Sequence, residues 1–227
     1  GLLAGAAIVD PPRATRSEAE GLGHLVNPYT RDLRLWRIRG ASMLLVIPQV
    51  TVWTFALVWL IDDRGWSILD ATLLVGATQL LGAASRIAAG AWSDRVGNRL
   101  GPMRTVAIVA AASMVALGLL EGTALAVTLM VIASVITVAD NGLAFTSVAE
   151  IGGPYWSGRA MGTQNTGQFL ASAAVPPVIG ALITGQGYAW AFGLVALFPL
   201  LAIPLIPVKS EGRKSHDHDT ATVDDDG

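Results

Sequence analysis

Six continuous apolar runs, at about 41–61, 69–91, 103–120, 124–147, 159–183 and 188–207, constrain this chain more than any other feature. A helix needs about 20 residues to cross a hydrocarbon core roughly 30 Å thick. These runs are long enough, and they do not alternate as barrel strands do, so spanning helices fit them. With 52% hydrophobic and 14% charged residues the chain departs from soluble domains, in which about 25% of residues are charged. The predicted fold class is all-α: a polytopic membrane protein whose six transmembrane helices form one bundle in the lipid bilayer. The chain has no cysteine, which excludes disulfides, thiolate metal sites and cysteine nucleophiles.

Charge orients the spans. Arg13, Arg16, Arg31, Arg34, Arg37 and Arg39 precede the first run; Arg95, Arg99 and Arg104 lie around the second turn; Arg159 follows the fourth run; Lys209, Arg213 and Lys214 follow the sixth. All of these fall on one side of a six-crossing layout. The opposite side holds Arg64 alone, beside Asp62 and Asp63, and Arg86 sits inside the second run. The positive-inside rule makes that rich side cytoplasmic, with both ends of the segment on it. The preference for arginine over lysine points to a GC-rich bacterial source and so to a plasma membrane.

The expected organisation has four parts. Residues 1–13, apolar up to Asp10-Pro11-Pro12, are too short to span and read as the cut end of a preceding transmembrane helix. Residues 14–40 form a cytoplasmic segment in which Arg31 to Arg39 fits a short surface helix, with Leu35, Trp36 and Ile38 at the lipid boundary. Residues 41–208 hold the bundle. Residues 209–227, ending in Asp224, Asp225 and Asp226, read as a disordered cytoplasmic tail, and His216 and His218 within it as solvated rather than metal-binding. Trp59, Trp66, Trp156 and Trp190 stand near span ends, as an aromatic belt requires, while Trp53 falls deeper and reads as packing.

The turn between the second and third runs reads Gly90-Ala91-Trp92-Ser93-Asp94-Arg95-Val96-Gly97-Asn98-Arg99. Gly97, with Gly101 and Pro102, suits a tight reversal. The stretch resembles the cytoplasmic signature loop of major facilitator superfamily (MFS) transporters, usually read as G-x-x-x-D-R-x-G-R/K-R/K. Gly90, Asp94, Arg95, Gly97 and Arg99 match, and Asn98 stands where the family has a basic residue. Glu150 with Gly158-Arg159-Ala160-Met161-Gly162 resembles the corresponding turn later in the fold, although Gly158 and Gly162 equally suit close helix packing. The resemblance implies the C-terminal half of a twelve-helix secondary transporter. The N-terminal six-helix half would be missing from this chain, and residues 14–40 would be the linker between halves. It also implies a gating role for the loop, in which Asp94 latches one conformation through a helix N-terminus of the other half.

Polar residues inside the runs are the candidates for binding, because an ionisable group within a span costs about 2.5–3.5 kcal/mol on insertion scales. Asp140 is the acid placed well inside. Ser134, Thr137 and Asn141 recur around it at helical spacing, and Gln164, Gln168 and Ser172 share a face of the fifth run beside Asn165. Two facing polar stripes describe a hydrated cavity. Gln49, Thr51 and Thr54 lie next to Pro48 in the first run, and Thr78, Gln79 and Ser85 in the second. Pro176-Pro177 is expected to break or bend the fifth helix. The candidate solute- or ion-binding residues are Asp140, Asn141, Gln164, Asn165, Gln168 and Gln49. Asp140 can carry a proton, pair with Arg159 or Arg95, or reach the interface. The competing explanation for the other polar groups is interhelical hydrogen bonding, at about 0.6 kcal/mol each.

The function that follows is secondary active transport of a small-molecule solute by alternating access, with protons as the favoured coupling ion. The rivals are a non-transporting or degenerate membrane module and a half-transporter that homodimerises. An intramembrane enzyme is disfavoured, because His24, His216 and His218 lie outside the runs and Asp140 has no intramembrane carboxylate beside it. No phosphate-binding loop, nucleotide motif or nucleic-acid patch occurs, so no cofactor, metal or nucleic-acid partner is expected.

Overall fold

The computed structural model describes residues 16–21 and 25–208. The expected helix end at 1–13, His24, and the tail from Lys209 with His216 and His218 lie outside them. Helix α1 (Arg16–Gly21) and a 3-10 turn (Pro28–Thr30) lead into α2 (Leu33–Val58), which widens into a π-helical turn at Trp59–Asp63. Then come α3 (Ile68–Arg95), α4 (Leu100–Leu119), α5 (Ala126–Ile136), α6 (Asp140–Gln186), α7 (Tyr188–Val195) and α8 (Leu197–Ala202). No strand occurs among the described residues.

The first span starts earlier than expected. Asp32 caps α2 by accepting from the Arg34 amide at 2.9 Å, and nothing interrupts the helix from there through Pro48 to Val58. The expected surface helix at Arg31–Arg39 is thus the first two turns of the span itself. Leu35 and Ile38, expected at the lipid boundary, are both fully buried, while Trp36 faces outward.

Five stretches are long and apolar enough to span: Leu33–Asp63, Ile68–Arg95, Leu100–Leu119, Ala126–Gln186 and Tyr188–Leu205. The fourth, 61 residues long, crosses twice. Asn141 and Gln168, 27 residues apart in sequence, are hydrogen-bonded at 3.1 Å, whereas a straight helix would hold them about 40 Å apart. The chain folds back at Gly153, whose φ of 69° and ψ of 178° are non-helical. Six passages result, and the all-α bundle stands as expected. Every positive φ among the described residues belongs to a glycine in a reversal: Gly65, Gly97, Gly153 and Gly187. Gly101 and Pro102, expected to help turn the chain at Gly97, instead lie in the first turn of α4.

Two expectations about helix continuity fail. The fourth span is not one helix, since residues 137–139 form a turn between α5 and α6. The hydroxyls of Ser134 and Thr137 bond back to the carbonyls of Met130 (2.8 Å) and Ala133 (2.7 Å), loosening the ladder there. Of the break or bend expected at Pro176 and Pro177, the break does not occur, for Gly153 alone departs from helical geometry in α6. Both prolines are exposed, so the carbonyls they leave without N–H partners lie on the outer side.

Two apolar cores fill the bundle. One, toward the arginine-rich end, contains Leu35, Ile38, Leu45, Leu100, Met103, Leu143 and Ala160. The other contains Val52, Trp59, Met114, Leu117, Val175 and Phe192. Gln49 falls between Leu45 and Val52, and Gln168 between Ala160 and Val175, so the polar cluster lies where the cores meet. At the far end, fully buried Trp59 donates Nε1 to Glu121 at 2.8 Å, and Arg64 pairs with the same carboxylate at 3.0 Å while lying over the Trp59 ring. Trp59 is therefore a core residue rather than part of an aromatic belt.

Candidate functional site

Three of the expected binding residues meet in one hydrogen-bonded chain. Asn141 donates to Gln49 Oε1 at 2.8 Å, and Gln168 donates to Asn141 Oδ1 at 3.1 Å and to Ser42 Oγ at 3.3 Å. The first, fourth and fifth passages are thereby tied together by side-chain amides at the junction of the two cores. Each amide is donor and acceptor at once, so the chain can exchange internal bonds for bonds to hydroxyl, amide or carboxylate groups. Gln49 and Asn141 are half-buried and Gln168 is buried. Ser42 was not anticipated, although its spacing of two turns from Gln49 puts both on one face of α2.

The break between α5 and α6 places Asp140 at a helix N-terminus inside the bundle. Its side chain is 2% exposed, and Oδ2 has no hydrogen-bond partner among the described residues. The partial positive charge of the helix start favours a carboxylate there. Neither Arg95 nor Arg159 pairs with it: Arg95 is exposed at the end of α3, and the Arg159 guanidinium lies 5.0 Å from the Trp156 ring centroid. Gln164, one turn before Gln168, is fully buried, and neither of its amide atoms is hydrogen-bonded among the described residues. Asn165 is exposed on the adjoining face of α6 and does not join the cluster. Thr51 and Thr78 bond to the carbonyls of Ile47 and Leu74 in their own helices, and Thr54 is exposed.

The charged turn is built around Arg99. Its guanidinium bonds to Asp94, to Ser93 Oγ at 2.6 Å and to Glu150 at 3.3 Å, joining the end of α3 to the end of the first limb of α6. The bond that Arg99 donates to Asp94, opposed by partial desolvation and helped by Glu150, holds the guanidinium above its ordinary pKa. Gly97 takes φ 61°, and Asn98 accepts from the Gly101 amide at 2.6 Å, capping the start of α4 where a basic residue would offer no acceptor. Ser93 in turn donates to the Gly90 carbonyl at 2.8 Å. The Asp94 side chain remains 64% exposed, so the carboxylate is open to a further partner.

The segment before α2 is strapped onto the hairpin at Gly153. Trp156 Nε1 donates to the Leu25 carbonyl at 3.1 Å, Tyr29 donates its hydroxyl to the Ala160 carbonyl at 3.3 Å, and Trp36 Nε1 donates to the Tyr29 carbonyl at 3.0 Å. Burial raises the Tyr29 pKa above the usual phenol value, against the lowering effect of Arg39.

The family model described as Major Facilitator Superfamily matches residues 1–176 and 40–222. Two curated relatives, described as uncharacterized MFS-type transporters and coming from two strains of Mycobacterium tuberculosis, are each 50% identical to this chain over 204 residues. The alignment covers 89% of this chain and 46% of each relative, so the chain spans about half the length of the curated relatives it matches.

Proposed function

This chain belongs to the major facilitator superfamily, and on that footing we propose that it forms half of a secondary transporter carrying a small polar solute by alternating access. The observation that supports this most is the amide chain Gln49–Asn141–Gln168, which draws three passages together at mid-bundle and is made of groups that bind solutes reversibly. In such folds the site lies near the midplane and two helix bundles rock around it. The other bundle is taken to precede residue 14, with the segment to Asp32 linking the two. The arginine-rich end is read as cytoplasmic, the membrane as a bacterial plasma membrane, and the protein as having no enzymatic activity.

Asp140 is read as the acid that carries a coupled proton. It is buried, one of its oxygens is unbonded among the described residues, and it directly precedes Asn141 in the sequence. Asp94 is the latch. Its exposed carboxylate, held at the end of α3 by Arg99, suits a helix N-terminus of the other bundle in one conformation and water in the other.

The test is uptake into proteoliposomes by the full-length protein, screened with labelled sugars, polyols, amino acids and organic acids. Asn141→Ala removes two hydrogen bonds in the chain and is expected to cut uptake about tenfold or more. Its thermal stability in detergent should stay within about 1–2 kcal/mol of the parent. Asp140→Asn should abolish uphill accumulation driven by a proton gradient yet leave exchange between equal pools. Full accumulation by Asp140→Asn would remove the proton role, and full uptake by Asn141→Ala would remove the amide chain as the site.

A further inference from the structure

Arg86 is the one basic residue deep inside the apolar runs, since Arg104 and Arg159 stand at the ends of theirs. It lies nine residues, about 14 Å, from the Arg95 end of α3 and eighteen residues, about 27 Å, from Ile68, which puts it well within the hydrocarbon thickness. A cation at that depth is costly and marks a functional position unless a carboxylate neutralises it. Among the described residues no carboxylate forms an ion pair with Arg86. Its charge is felt at Asp140, but the two make no direct contact.

The side chain is nonetheless held. Nε donates to the Val138 carbonyl at 3.3 Å, and the guanidinium carbon lies 5.9 Å from the Trp53 ring centroid. These contacts draw it toward the turn between α5 and α6 and the face of α2, not along α3 toward the headgroups. Nε is thus occupied in positioning, while both terminal nitrogens donate to nothing among the described residues. That free edge is the fork that makes paired bonds to a carboxylate or phosphate. Both residues that hold the Arg86 side chain lie near members of the amide chain along their own elements. Trp53 is one turn from Gln49 on α2, and Val138 is three residues from Asn141.

We propose that Arg86 recognises an oxyanion, a carboxylate or phosphate carried by the solute, while Gln49, Asn141 and Gln168 recognise its uncharged polar groups. This rests on the transport reading above and narrows it to anionic polar solutes. Bound solute would supply a countercharge in direct contact with the fork, which Arg86 does not have among the described residues.

The experiment uses full-length protein in proteoliposomes with two pairs of labelled probes: gluconate against glucose, and glycerol 3-phosphate against glycerol. At least one anion is expected to move about tenfold or more faster than its neutral counterpart. Arg86→Gln should shrink that preference to about twofold or less, with the neutral probes unaffected, and Arg86→Lys, which keeps the charge and loses the fork, should fall between. Which pair responds separates a carboxylate from a phosphate. Neutral probes moving as fast as anions, or a preference surviving Arg86→Gln, overturns the inference and leaves transport standing. If no probe moves, the transport reading falls with it. A large loss of thermal stability in Arg86→Gln without any probe would mean that Arg86 pairs with a carboxylate of the protein, and would overturn the inference.

Discussion

Gly118 and Gly193 bring α4 and α7 into backbone contact. A Cβ on Gly118 would stand 2.5 Å from the Gly193 Cα and 2.6 Å from its nitrogen, and backbone cannot step aside as a rotamer can. Gly118→Ala is expected to destabilise by about 1–3 kcal/mol, read as a lower unfolding midpoint in detergent. Gly180→Ala is the control: its Cβ would meet only Phe55, at 3.8 Å, and the midpoint should hold or rise. Glu121 raises a different question, because one carboxylate serves both Arg64 and Trp59, with Arg64 18% and Glu121 15% exposed. Glu121→Gln loses the charge but keeps an oxygen for the indole, so it should cost about 1 kcal/mol, and Glu121→Ala about twice that. Equal losses would mean that the indole bond contributes nothing, and no loss in Glu121→Gln that the ion pair contributes nothing.

The reversal at Gly153 needs a backbone that an L side chain rarely adopts, so Gly153→Ala should strain the hairpin joining the fourth and fifth passages. The segment strapped across that hairpin should loosen with it. Trp156→Phe, which removes the bond to the Leu25 carbonyl, is expected to speed tryptic cleavage at Arg31 several-fold in the full-length protein, while cleavage at Arg99 is unchanged. The spans were legible in the sequence because uninterrupted apolar runs have one good solution in a bilayer, and the turn at Gly97 because charge, glycine and motif coincide there. The break at 137–139 was not legible. Val135 to Ala139 reads as unbroken apolar helix apart from Thr137, and nothing in the sequence says that this hydroxyl will bond to its own backbone. Gln49, Asn141 and Gln168 could be singled out because amides are scarce in the spans. Asn165 could not be told from Gln164, since neighbours on a helix differ by about 100° of rotation and only packing decides which is buried.

Helix α3 is the least covered of the spans, with 17% of its most apolar window buried against 50% for α4. Its open face carries Gly76, Ala84 and Ala88, small residues that let another helix approach closely. On the proposed reading of this chain as half of a transporter, this face is where the second bundle would rest. The chain has no cysteine, so Ala88→Cys gives it a single thiol. A membrane-permeant maleimide should label that thiol quickly in the segment 33–208 expressed alone and at least several-fold more slowly in the full-length protein; equal rates would place the second bundle elsewhere. The interruption between α5 and α6 also bears on mechanics. An intact helix is a stiff rod, but a rod cut partway behaves as two arms on a joint, and here the joint adjoins Asp140 and Asn141. The outer arm, α5, has 11 residues and so extends about 16 Å. A tilt of about 10° at the joint would swing its far tip by roughly 3 Å, while the other arm stays anchored through Asn141 to Gln49 and Gln168. The lever is short, its fulcrum lies beside the polar cluster, and small adjustments there are amplified at the opposite membrane surface.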